Sequence, residues 1–506
     1  MELELNGKSH VFYDTGARLV TAREQTQEQV VPDACPDILR IITTYGSVYA
    51  SEQGLHDGRA EVGGSIRAAV LYLPESGEGV EQLVLSIPFN HAFETPSDPG
   101  DLLFCSAELE SIDARTINPR KVLVRASVRI GARVLRRRTV ELPCEVSAPN
   151  SLGVRTLEES MSYQVATAAS SKIFTVTDVL ELGGAPAMKE IIRSKVSFTT
   201  SDYNVIGRRA VFKATAIIET LYRAVNDAVC THRAELPFSQ IVEPEGLTED
   251  SELVIRLRAT SMTSAVKHED GGRAYEFSFS AEAQAIAYSA HEFPVVADLY
   301  STSHRAEVES GSLELETFVK RTERRTTVRA TLETGAEARE AEDAEVCFTP
   351  ATTSHGEDGK LHVSSNADVR VRYTGEDGTQ YQTRGRIPVN IELDSDGDCA
   401  CELRAESIAL SAAMPGGIEV RLDVAADVEM TRTETVRFVG SATLTEYGAD
   451  APARPSVVLR YPQEGESMWS VAKRFSTTEQ DIRDANGIAP GESPDPKKLM
   501  LIPKRR

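Results

Sequence analysis

Three stretches of this chain alternate apolar and polar residues without a break, and they recur at one pitch. The apolar positions are Val122, Val124, Ala126, Val128, Ile130, then Tyr275, Phe277, Phe279, Ala281, Ala283, then Ile418, Val420, Leu422, Val424, Ala426. A period of two places such residues on one face of a strand. It predicts antiparallel sheet with a single buried face, and Arg125, Arg129, Glu276, Glu282, Glu419 and Arg421 between them are expected in water. Upstream of each run, a strand ending in Tyr precedes a strand opening on a hydrophobe and Pro. These pairs are Val70-Leu71-Tyr72 with Ile87-Pro88-Phe89, Thr220-Leu221-Tyr222 with Leu236-Pro237-Phe238, and Val371-Arg372-Tyr373 with Ile387-Pro388-Val389. The Tyr-to-Pro gaps are 16, 15 and 15 residues and successive prolines lie 149 and 151 apart, so three copies of one unit fill the chain to Gly440.

Turns such as Asp270-Gly271-Gly272 and Glu376-Asp377-Gly378 predict hairpins, and the fold class that follows is mainly β: three tandem antiparallel sandwich-like repeats in a row. Their expected limits are residues 10–148, 157–298 and 302–440, with 441–456 a polar tether stiffened by Pro452 and Pro455. The segment Pro36-Asp37-Ile38-Leu39-Arg40-Ile41 corresponds to Ala187-Met188-Lys189-Glu190-Ile191-Ile192. Both read as a short helical turn across a sheet end, while residues 337–345 of the third unit are too charged for that packing. Gly63-Gly64 inside a strand-like run marks a bulge.

The tail, 457–503, has another rhythm. Strand candidates Val457 to Tyr461 and Leu499 to Ile502 bracket two helix candidates. Ser467 caps the first, which carries Met468, Val471, Ala472 and Phe475 at helical spacing. Thr478 and Asp481 open the second as a capping box, Ile482 and Ala485 point inward, and Asn486-Gly487 stops it. Trp469, the one tryptophan, has two readings: a core anchor against Leu499 and Ile502, or an exposed contact residue beside Met468.

Charge and motifs exclude several classes of function. The net charge is −22; nine Lys/Arg less seven Asp/Glu leave +2 from Val457 onward, and 46 less 70 give −24 for the rest. An acidic body of this kind is not a nucleic-acid binder. The N-terminus has no basic segment followed by an apolar core and no stretch is long enough to span a membrane, so a cytoplasmic location is expected. Seven scattered cysteines form no C-x-x-C pair, and reduced, strand-buried thiols are expected; Cys399 and Cys401 share a strand face without nearby His partners. The run Asp394 to Asp398 opens like a calcium loop but has Cys399 where glycine is needed and Ala405 where the bidentate Glu belongs. No catalytic constellation, metal site or cofactor motif emerges; His91 and His232 read as plain surface or core side chains, and the chain reads as a non-enzyme.

Two resemblances sharpen this. Gly465-Glu466-Ser467, Trp469-Ser470-Val471-Ala472, Asn486 and Leu499-Met500-Leu501-Ile502-Pro503 together resemble a LysM module. The resemblance implies a βααβ fold with a glycan groove between the loop entering the first helix and the loop leaving the second. The candidate partner- or glycan-binding residues are then Gly465, Glu466, Ser467 and Met468 on one side and Asn486, Gly487 and Ile488 on the other. Asp495-Pro496 stands where the family usually has a Pro-Gly turn, and weak glycan binding is expected. The repeated unit is similar to the SPOCS domain of sporulation proteins, through Pro36-Asp37-Ile38, Ala69-Val70-Leu71-Tyr72 and Ile87-Pro88-Phe89. The second unit keeps the strands without the Pro-Asp, and the third keeps only the later half. SPOCS units followed by one LysM is the architecture of SipL-like spore-coat morphogenetic proteins. That resemblance implies a mother-cell scaffold at the forespore surface whose LysM contacts the coat's basal morphogenetic ATPase, with other coat proteins as further partners. The alternative it leaves is a LysM protein holding peptidoglycan or cortex glycan.

Overall fold

The computed structural model describes residues 1–76, 79–356, 360–394, 397–413, 416–447 and 456–503. In the first repeat β1 (Glu4–Val30), β6 (Lys121–Ser147) and β5 (Leu102–Asn118) form one antiparallel sheet, and β2 (Ile38–His56), β3 (Arg59–Pro74) and β4 (Glu81–Glu94) form a second. The second repeat copies this with β7 (Val154–Glu181), β12 (Ala274–Ser301) and β11 (Glu252–Val266) against β8 (Met188–Ile206), β9 (Arg209–Ala224) and β10 (Val229–Val242). In the third, β13 (Arg305–Glu333), β19 (Gly417–Thr445) and β18 (Asp398–Ala413) face β14 (Ala338–Phe348), β16 (Leu361–Gly375) and β17 (Gln380–Leu393), and β15 (Thr352–His355) continues β14 along β16. The three alternating runs open β6, β12 and β19, and all of their apolar side chains are buried between the two sheets of their own repeat. Ser441–Thr445, expected in the tether, are the last rungs of β19 against β13; residues 448–455 lie outside the described residues.

The expected helical turns are strands. Ile38 and Met188 open β2 and β8, and all of the charged 337–345 segment but Glu337 belongs to the matching β14. The misreading has a physical source. The ladder slips at Ile38/Arg40 and Ile41/Thr43, at Met188/Glu190 and Ile191/Arg193, and at Ala338/Glu340 and Ala341/Asp343. Two bulges so close together break the period of two and leave apolar residues at i, i+3 and i+4, which imitates one turn of helix. The Tyr landmark closes the same corner: Tyr72 Oη donates to the Pro36 carbonyl at 3.1 Å and Tyr222 Oη to the Pro186 carbonyl at 3.0 Å. Asp37 accepts from Arg120 at 2.8 Å, and the same guanidinium donates to the Val31 and Cys35 carbonyls, which pins the loop into β2. The bulge expected at Gly63-Gly64 lies across the ladder, where Ser51 is the extra residue between Ala50 and Glu52; a Cβ at Gly64 would collide with the Tyr49 carbonyl.

The repeats are not beads in a row. Each touches both others, so they close about an axis. Tyr13 pairs with Ala166 and joins the β1 and β7 sheets into six strands; Thr15 N donates to Glu316 at 2.9 Å; Arg233 donates to the Glu406 carbonyl at 3.4 Å. Phe12, Leu142, Val165, Phe293, Val295, Leu313, Leu315 and Val436, from the inner halves of the long strands of all three repeats, form a shared apolar centre. This closure overturns two of the solvent-facing assignments. Glu282 is fully buried, paired with Arg258 at 2.5 Å and bonded to Gln53 of the first repeat at 2.6 Å, and Arg129 is mostly covered, donating to Glu108 and to the Phe348 carbonyl.

One carboxylate ties the three together. Glu429 on β19 is fully buried and accepts from Arg133 on β6 at 3.2 Å and Tyr288 on β12 at 3.0 Å, with Arg256 on β11 3.0 Å away. Arg133, Ile286 and Glu429 stand at one register, each eleven residues past the start of its run at Val122, Tyr275 or Ile418. Burial by itself raises the Glu429 pKa, but Arg256 and Arg133 overcome it and hold the group at about 2. The three landmark prolines also acquire a reason. Pro88, Pro237 and Pro388 sit exposed on the edge strands β4, β10 and β17, where a residue without an N–H weakens strand addition.

Three outcomes are expected. Glu429→Ala strips buried Arg133 of its carboxylate, leaves Arg256 with Glu402 as its one ion-pair partner, and lowers the unfolding free energy by about 3–5 kcal/mol in chemical denaturation. Because the folded pKa lies below the usual 4.5, the Glu429 contribution is complete above about pH 4.5 and disappears as the pH falls toward 2, and Glu429→Gln abolishes that part of the acid titration of stability. Replacing Pro88, Pro237 and Pro388 together by Val raises concentration-dependent self-association in sedimentation velocity.

Candidate functional site

The C-terminal module consists of β20 (Val457–Arg460), α1 (Met468–Phe475), α2 (Glu479–Asn486) and β21 (Met500–Pro503), in the order expected. Both helices are too short to persist alone, so caps and burial decide them. Ser467 Oγ accepts from Ser470 N at 3.1 Å and Thr478 Oγ1 from Asp481 N at 3.0 Å; Ser476 (φ 52°) and Gly487 (φ 64°) end the helices in the left-handed region. Val471, Ala472, Ile482, Met500 and Ile502 fill the core with Met468. Ala485 is exposed, and Ile482 alone buries the inner face of α2.

The seven candidate contact residues fare differently. Gly465 (φ 78°), Ser467 and Gly487 lie exposed at the two loops, though Ser467 is engaged as the cap. Glu466 is half-buried, its carboxylate accepting from Arg460 at 2.8 Å and Gln463 N at 3.0 Å. Met468 belongs to the core, 5% exposed, and Ile488 packs half-buried on the same cluster. Asn486 is spent internally: its amide donates to the Ile482 carbonyl at 2.7 Å and the Leu501 carbonyl at 2.6 Å, and its oxygen accepts from Leu501 N at 2.7 Å. That side chain stitches the end of α2 to β21.

Trp469 packs half-buried on the core cluster that holds Ile502, as the first reading had it, but what fixes it comes from outside the module. Its ring packs edge-on against Tyr300 of β12 with centroids 4.8 Å apart, and Nε1 donates to Asp298 at 2.8 Å. Lys473, one turn along α1, reaches the other Asp298 oxygen at 2.6 Å, and Tyr300 Oη donates to the Thr477 carbonyl at 2.8 Å. A face of α1 is therefore seated on the second repeat, and Tyr300 completes the core of the module.

A surface that sequence reasoning missed lies on the β20–β21 ribbon. Val457, Leu459 and Tyr461 alternate on one face, with Leu499 beside them; they are 47%, 59%, 61% and 52% exposed. Leu459 pairs with Leu501 and Val457 with Pro503, so the face is apolar across both strands. The signal was present in Val457-Val458-Leu459-Arg460-Tyr461, where positions 457, 459 and 461 share one side of a strand. Lys497 and Lys498 stand next to it in the chain, exposed.

Two family models match the chain. The model described as SipL, SPOCS domain covers residues 187–267, which are β8 to β11 of the second repeat, and the LysM domain model covers residues 463–503. Neither the comparison with curated proteins nor that with solved structures gave a match.

Trp469 reports on its own seat because it is the one tryptophan. Asp298→Ala is expected to shift its fluorescence to the red while the far-ultraviolet circular dichroism of the chain is unchanged. Asn486→Ala removes three bonds to backbone groups, costs the module about 1–3 kcal/mol, and is expected to speed hydrogen exchange at the Leu501 amide without altering exchange in β6.

Proposed function

We propose that this chain, which joins SPOCS architecture to a LysM domain, is a non-enzymatic sporulation scaffold at the forespore surface that docks through its LysM on the coat's basal morphogenetic ATPase and so promotes coat assembly. SPOCS and LysM are non-catalytic domain families, which supports the first half of this reading. The observation that carries the second half is the exposed apolar face of Val457, Leu459, Tyr461 and Leu499. An apolar row of this kind gains from burial against protein, about 25 cal/mol for each Å² removed from water. Sugar recognition instead needs hydroxyl-matching donors and acceptors. The loops that would supply them here use Ser467 and Asn486 to hold the fold.

The body has two parts in this function. Its closed arrangement supports the LysM on Asp298 and Tyr300, so the module meets a partner already oriented and less freedom is lost on docking. Its proline-guarded edges favour recognition through side chains over strand addition. No helix of the described residues is long and apolar enough to cross a membrane.

The test is capture of the purified basal coat ATPase by the full chain, by a chain ending before Val457, and by Leu459→Asp and Leu499→Asp. Loss of capture on deletion and at least tenfold weaker binding by both point variants are expected, as for truncation of central interface anchors. Undiminished capture by the truncated chain would overturn the docking role. Strong sedimentation of the chain with purified cell wall, abolished by changes at Gly465 or Gly487 and not by Leu459→Asp, would establish the glycan reading in its place.

A further inference from the structure

We propose that the seam between the first and second repeats is a proton-sensitive switch, held closed by His10 of β1 and His291 of β12 as a neutral pair and loosened when mild acidification protonates them. His10 Nδ1 and His291 Nε2 lie 2.9 Å apart, with the rings edge-on at 5.2 Å between centroids. Phe293 flanks both rings, at 5.1 Å and 4.9 Å. His10 is 1% exposed, whereas His291 lines a cavity of about 580 Å³ between the two repeats. The register shows that His10 is out of keeping with its station. Val140, Phe293 and Val436 each stand eighteen residues past the start of their runs at Val122, Tyr275 and Ile418, and their partners across the ladder are His10, Met161 and Leu313. An imidazole thus occupies a place in the shared apolar centre that the other two repeats give to hydrocarbon or thioether. Its second nitrogen, Nε2, is buried there without a hydrogen-bond partner among the described residues.

The hydrogen bond between the rings needs an N–H on one and a lone pair on the other. A first added proton makes one ring a cation in an apolar seam. A second removes the lone pair between the two nitrogens and sets like charges against each other, so the rings must part. No carboxylate among the described residues hydrogen-bonds either ring. Lys8 of β1 is the charged group that acts on both; Tyr163 of β7 is paired with His291 in the ladder. Arg137 of β6 and Glu245 and Asp250 of the loop between β10 and β11 line the cavity at His291. Arg138 and Glu434, which hold the register of His291 in the other repeats, are engaged with Asp14 at 3.0 Å and Arg432 at 3.9 Å. β13 and β19 bring Leu313, Leu315 and Val436 to the centre. Burial, then His291 and Lys8, push the His10 pKa below the ordinary 6.5, and burial, then Lys8, does the same to His291. Groups that bind protons more weakly in the closed seam than in the opened one favour opening as the pH falls below about 6.5, by up to about tenfold per pH unit for each proton taken up.

The switch is independent of the docking role, because both histidines lie in the body and not in the LysM. His91 and His232 also have lowered pKa values, but His91 meets Arg23 and His232 meets Tyr275 inside single repeats, so the seam must be read locally. The experiment is backbone hydrogen exchange of the full chain at pH 7.0 and pH 5.0, corrected for the intrinsic pH dependence; Glu429 stays ionised over this range. Peptides spanning Tyr13 and Ala166, the rung that joins the two repeats, are expected to exchange at least threefold faster at pH 5.0, while peptides of β3 and β9 inside the sandwiches do not change. His10→Met, which copies the second repeat, is expected to abolish the acid response of the seam, and His232→Phe to leave it intact. In the unaltered protein, exchange of the imidazole C2 protons, mapped by peptide mass spectrometry, is expected to titrate below 6.5 for both His10 and His291. A seam whose exchange does not respond to acid, a response that survives in folded His10→Met, or a midpoint of 6.5 or higher for either ring would overturn the assignment; the first and third need no variant to fold.

Discussion

A single buried carboxylate holds this architecture together. Glu429 belongs to the third repeat, and everything that satisfies it comes from the other two: Arg133 from the first, Arg256 and Tyr288 from the second. Burying a carboxylate costs several kcal/mol unless cations and hydroxyls surround it. The closed trio therefore keeps Glu429 ionised out of water because its cations arrive with it, and any opening of the ring gives up those pairs. The Glu282 cluster repeats this logic on a second seam, with Gln53 reaching across from the first repeat. Apolar packing makes the sandwiches, and these polar contacts decide how they are arranged.

The same division explains what the sequence disclosed. The runs at Val122, Tyr275 and Ile418 displayed the sandwich cores because alternation is a local property, and all fifteen of those side chains are buried. Glu282 and Arg129 sit in the same runs and were assigned to water, since nothing within a repeat says that its second face is covered by another. The helix-like spacing at Ile38, Ile41 and Ile42 misled for a related reason: it comes from paired bulges that are properties of a ladder, visible only when the partner strand is known. The third repeat has the same two bulges with unlike residues, which is why its charged strand β14 did not resemble its counterparts.

In the LysM, the stops and starts were legible because caps are read from neighbouring residues: Ser467, Thr478 and Gly487 each do what their types suggest. The role of Trp469 was not, because its partners Asp298 and Tyr300 lie in the second repeat, 171 residues away in the case of Asp298. Asn486 was picked out for contact and turned out to be a stitch, a reminder that a residue which marks a fold often marks it by holding it. The apolar ribbon face was overlooked for the opposite reason: Val457, Leu459 and Tyr461 read naturally as core, and only the position of the helices shows that the core lies on the other side.

The register shared by Arg133, Ile286 and Glu429 has a consequence for how such a chain came to be one chain. Three copies of the first repeat, closed on themselves, would crowd three guanidinium groups at that level; three copies of the third would crowd three carboxylates. Either homotrimer would bring like charges together, whereas one of each, with a neutral isoleucine between, does not. The divergence of the repeats thus works as an address written in charge: it sets the first and third side by side and closes, by covalent succession, a ring in which three copies of either would repel.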